Sequence, residues 1–149
     1  MKETLSRTDG TIPRKEQEDS RAKVMAYWVL TASLAVVMIG GAYGELTRQW
    51  GTLQTHTILG YPLYFLDIIG PWKALAGIAI LVPGVARLKE WAYAGMFFNM
   101  TGAFLSHAVV GDYGPGAYHL IATGSIVVLV VASWALRPQS RTLGKRRTI

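Results

Sequence analysis

The sequence predicts an all-α fold: an integral membrane four-helix bundle with four transmembrane helices. Two observations carry this expectation. The apolar residues, 51% of a 149-residue chain, fall into four blocks separated by polar stretches, and each block has the roughly 20 residues a helix needs to cross a bilayer. The basic residues sit mainly in the two tails and in one short loop, the segments that an even number of spans places on one side. The formal charge of +6 therefore reads as a positive-inside pattern. It puts both termini in the cytoplasm across the plasma (inner) membrane and argues against nucleic-acid binding. There is no cysteine, which excludes disulfides, thiol redox centres, iron–sulfur clusters and thiolate zinc sites built from this chain.

Residues 1–22 are polar and mixed in charge, the composition of a mobile cytoplasmic tail, and no signal-peptide pattern follows. The first span, residues 24–44, carries no charge. It has Tyr27 and Trp28 at the headgroup level and a Gly40/Gly44 pair suited to a close helix neighbour. Glu45 closes it at the outer interface. In the connection 46–62, Leu46, Trp50, Leu53 and Thr57 recur at helical spacing and predict a short interfacial helix.

In the second span, 63–83, and just past its end, Gly70, Gly77 and Gly84 recur at seven-residue intervals, a packing face, and Pro71 lies inside the helix. A short loop with Arg87, Lys89 and Glu90 reads as a solvated or snorkelling inner cluster. The third span, 91–110, shows a stripe of Ala92, Gly95, Asn99, Gly102 and Ser106, read as a helix–helix contact face. The turn GDYGPG leads to the fourth span, 117–136, and then to a basic tail, 138–149. Residues 23–137 thus form the membrane domain.

Charges inside a spanning segment cost about 2.5–3.5 kcal/mol each on insertion scales, so Asp67 and Lys73 stand out. At about 1.5 Å per residue, Lys73 and Asn99 lie level near mid-membrane, while Asp67, His107, Glu45 and His119 gather towards the outer face. Asp67, Lys73, Asn99, His107 and Glu45 make up the candidate polar cluster. One reading is a ligand or proton pocket in which a hydrogen bond joins Lys73 to Asn99. The other is structural, with Asp67 at the interface and Lys73 satisfied by neighbouring helices. His107 and His119, with or without His56, have the chemistry to ligate haem iron or a metal. No motif spacing supports either, so the expectation is no metal and no haem.

The run GYPLYFLDIIGPWKALAGIAILVPG, followed by RLKEWAYAGMFFNMTGAFLSH and GD, resembles the DoxX-like family of small four-span membrane proteins over about residues 24–138. The resemblance implies a four-helix bundle. It also implies an accessory or scaffold role in a membrane oxidoreductase system, with contact to a quinone and to partner subunits. Two positions depart from the family pattern: Glu45 stands where a basic residue is expected, and Asn99 stands where an aspartate often follows FF. Three functions stay open: the accessory subunit that the resemblance implies and, from the residues, a small-molecule or proton-coupled pathway or an intramembrane enzyme built on Lys73 and Asp67. Partner subunits or a homo-oligomer, within a lipid bilayer, complete the expectation.

Overall fold

The computed structural model describes residues 14–49, 51–114 and 117–143, with the side chains of 14–19 and 139 left aside. Trp50 and the tail charges at Lys2, Arg7, Lys145, Arg146 and Arg147 lie outside the described residues. Those that are described form five α-helices: α1 (Arg14–Thr47), α2 (Thr52–Leu59), α3 (Tyr64–Leu81), α4 (Ala86–Val109) and α5 (Tyr118–Ala135), followed by a 3₁₀ turn at Gln139–Arg141. There is no strand among them. The fold is all-α, as the four apolar blocks predict. Three stretches, Ser20–Thr47, Tyr64–Leu81 and Tyr118–Ala135, are long and apolar enough to cross a membrane. Large apolar side chains such as Trp72, Trp91, Val109 and Val128 face outward, which suits lipid better than water.

Helix α1 begins ahead of the first apolar block, so residues 14–22, read from composition as tail, continue the helix. The four long helices pack as a closed ring, α1 on α3, α3 on α4, α4 on α5 and α5 on α1. Neighbours run antiparallel. Gly70 faces Leu46 and Ala42, whereas Gly77 faces Ile39 and Ala35. At these two glycines a Cβ would come within 3.0 Å of Leu46 and Ile39 respectively. Two of the three glycines of the predicted repeat therefore make the α1–α3 contact. Gly84 instead takes a left-handed turn conformation (φ 79°) after α3.

One half of the bundle, towards the chain termini, is filled. Leu34, Met38, Ile80, Tyr93, Met96 and Val130 form its core. Inside it Ser133 Oγ lies 2.8 Å from both Thr31 Oγ1 and Tyr93 OH, linking α1, α4 and α5. Lys89 closes this end and is fully buried. Its amine donates to the carbonyls of Ile80 (2.6 Å) and Ala79 (3.0 Å). Arg141 donates to Ile80 and Leu81 and lies over the Trp28 ring at 4.3 Å. The last carbonyls of α3 have no helical donors, and cations satisfy them and favour the negative end of the helix dipole. The snorkelling expected of Lys89 is corrected accordingly. Glu90 is not merely solvated either: it pairs with Arg137 at 2.8 Å and accepts from Trp134 Nε1.

The other half, towards α2 and the α4–α5 loop, is hollow. The predicted small-residue stripe on α4 explains part of this. Ala92 packs in the core, but at Gly102, beside the hollow, and at Gly95, on the side towards α3, a Cβ would meet nothing of another helix within 4 Å. The buried face of α4 is instead Tyr93, Met96, Met100 and His107, and the stripe leaves space open beside it.

Candidate functional site

The hollow half holds an open-sided cavity of about 520 Å³ lined by residues of all five helices, including Glu45, His56, Lys73, Asn99, His107 and His119. Small side chains make the room: Gly41, Gly102, Ala103 and Ala122 all border it. Helix α2 carries His56 to the cavity wall, where the ring is buried among Tyr61 and Phe65. Left-handed glycines frame this short helix, Gly51 (φ 76°) before it and Gly60 (φ 72°) after it.

Lys73 bonds Glu45 rather than Asn99. Its Nζ donates to Glu45 Oε1 at 2.7 Å. The reason lies in α1, which stays helical through Thr47 and so turns Glu45 onto α3 instead of into the interface. Gly41, one turn earlier, leaves room for the amine, since a Cβ there would sit 3.3 Å from Lys73 Nζ. Asn99 shares the cavity, but its Oδ1 is buried with no hydrogen-bond partner, and so is Glu45 Oε2. An ion pair with two unpartnered acceptors beside it is polar capacity that packing leaves open.

Asp67 is not part of this cluster. Arg48 Nη2 donates to both of its oxygens, at 2.7 and 2.9 Å, and the Asp67 side chain is 55% exposed. Arg48 reaches it from a left-handed position just past α1 (φ 59°). The structural reading of Asp67 is therefore the one the geometry supports.

His107 and His119 face each other across the α4–α5 loop, their rings stacked at 4.6 Å. Both Nδ1 atoms lie 2.7 Å from Asp112 Oδ2. The hydrogen bonds from the two rings, His107 foremost, hold the Asp112 carboxyl below its usual range. Burial lowers His56, against the opposing charge of Glu45, so its ring is neutral at pH 7. Asp112 carries no signal of its own in the sequence beyond the GD that follows SH, because only the loop's turn brings it to the two histidines. His56 stands apart from the two stacked rings, and among the described residues the three donor atoms that could share an ion are those of His107, Asp112 and His119.

A second space, about 580 Å³ and almost wholly apolar in its lining, runs between α3 and α4. Trp72, Ala76, Trp91 and Met96 border it, and so do Lys73 and Asn99. Lys73, Asn99 and Ile69 line both spaces and form the wall between them.

The model of the DoxX-like family matches residues 29–134. The chain belongs to the DoxX-like family. The match takes in the core of the ring, the Lys73–Glu45 pair and the stacked histidines, and leaves out both ends of the chain. No curated protein and no solved structure is matched.

Proposed function

We propose that the DoxX-like chain is a four-span protein of the plasma membrane, with both termini cytoplasmic. It serves as an accessory subunit of a membrane oxidoreductase system, and its cavity takes the head of a quinone-class molecule. The span beyond the three apolar stretches is α4, third in chain order, whose charges Arg87, Lys89 and Glu90 all lie in its first turns. Contacts at both ends, Lys89 with α3 and His107 with α5, support a helix packed along its length between two apolar ones.

The observation that carries the ligand assignment is the shared wall. A molecule with a polar ring and an apolar chain has a place for each, the cavity above Lys73–Glu45 and the groove between α3 and α4. An ammonium offers three donors, and Glu45 Oε1 takes one, which leaves Lys73 able to donate to a ring carbonyl. Glu45 Oε2 and Asn99 Oδ1, both without donors, suit the hydroxyls of the reduced ring. A bound quinone would supply electron and proton transfer; the chain's own part is to bind the ring and hold a proton at Lys73 or Glu45. A pathway through the whole bundle is less well supported, because the Leu34–Val130 core cluster fills the centre of the half towards the termini. An enzyme using Asp67 as acid or base is disfavoured by its exposed pairing with Arg48.

Mild-detergent extraction from the native membrane tests the reading. A stoichiometric redox partner and co-extracted quinone are expected. A homo-oligomer carrying neither would contradict it.

A further inference from the structure

We infer that His107, Asp112 and His119 form a binding site for a divalent first-row transition metal, at the end of the α4–α5 hairpin. The site rests on side chains separate from the Lys73–Glu45 pair and stands without the quinone reading.

Three elements build it. His107 lies in the last turn of α4 and His119 in the first turn of α5. Asp112 is brought between them by the loop. Gly111 takes a left-handed conformation (φ 70°), and the backbone N–H of Asp112 donates to the His107 carbonyl at 3.0 Å. One donor atom from each of the three residues lies within 4.8 Å of the others. His107 is 3% exposed, and the Asp112 and His119 side chains are 13% and 32% exposed. The site is therefore sheltered yet reachable.

The arrangement around the carboxylate points to an ion. Two ring N–H groups bonding a carboxylate would each have an oxygen available, yet both rings converge on Oδ2 at the same 2.7 Å. Among the described residues, Asp112 has no lysine or arginine ion-pair partner to balance it. Two imidazoles and one carboxylate suit zinc, iron(II) and their neighbours in the series. Ligands of a tetrahedral zinc at about 2.0 Å stand about 3.3 Å apart, so binding opens the present contacts by about half an ångström. Neutral rings supply their Nδ1 lone pairs by moving the proton to Nε2, with no net proton loss. Three protein ligands leave a coordination position for water, as in open zinc sites. Since both rings line the cavity, that position is accessible from it.

The test is zinc titration of purified, tag-free, chelator-treated protein, read by competition with a chromophoric chelator. One saturable zinc per chain is expected. His119→Ala and Asp112→Asn, at the less buried positions, should each weaken it at least about tenfold. Folded Lys73→Met should bind zinc like the wild type, which separates this site from the quinone reading. Cobalt(II) substitution should give a visible absorption band that is lost in the same two variants. Wild-type protein without saturable zinc binding would overturn the inference. So would zinc binding that His119→Ala and Asp112→Asn leave unchanged.

Discussion

Glu45 and Lys73 are 14% and 15% exposed and 2.7 Å apart, so neither has enough water to stand alone. Removing one partner of a buried pair leaves the other uncompensated, at about 3–5 kcal/mol, whereas replacing both is often far milder. Glu45→Gln should therefore lower stability by about 3 kcal/mol, and adding Lys73→Met should recover most of the loss. A double-mutant cycle by thermal unfolding in detergent checks this, and additive losses would contradict it. His56 gives a pH-dependent counterpart. Burial holds its folded pKa below the ordinary 6.5, so between the two values the unfolded chain binds more protons. Stability then rises with pH across that window and falls on acidification below 6.5. His56→Phe, which keeps a ring beside Tyr61 and Phe65, should flatten the melting curve's dependence on pH between 5 and 7. An unchanged slope would show that other groups set it.

Glycines on two helices should respond in opposite directions to the same substitution. Gly77→Ala places a Cβ 3.0 Å from Ile39 and 3.3 Å from the Ala35 carbonyl. The resulting overpacking of about 1–3 kcal/mol outweighs the gain in helix propensity of about 1 kcal/mol. Gly95→Ala meets nothing within 4 Å and should be neutral or slightly stabilising. Melting temperatures of the two variants, compared with the parent, check the contrast. The apolar stretches of the long helices could be read from the sequence because hydropathy along the chain marks them. Which face of each helix turns inward could not. In lipid, apolar side chains occupy both faces, so periodicity loses its meaning. That is why the α4 stripe reads as a contact face, although it lines open space beside Tyr93, Met96 and Met100. Lys89 is illegible for a different reason. Next to Arg87 it looks like one more interfacial cation, and only the arrival of the α3 carbonyls buries it.

At the scale of the whole molecule, the ring divides into a filled half and a hollow half. The sequence shows that Lys73 is unusual, and its depth places it near Asn99. It does not show that α1 continues past Gly44 and carries Glu45 onto α3, because that depends on where one helix ends and how two helices are rotated. Orientation has its own test. Reporter fusions at positions 50, 86 and 114 should read outside, inside and outside, and the reverse pattern would invert the proposed topology. The central claim is that Lys73 heads a site for a quinone-class ring between the cavity and the α3–α4 groove. It is tested most directly by equilibrium binding of a quinone to the purified protein in lipid nanodiscs, comparing wild type with folded Lys73→Met. The account predicts saturable binding to the wild type and a loss of at least about tenfold in the variant, the scale of one charge-assisted hydrogen bond of about 1.5–3 kcal/mol. Equal affinity in the two proteins, or no saturable binding to either, would contradict it.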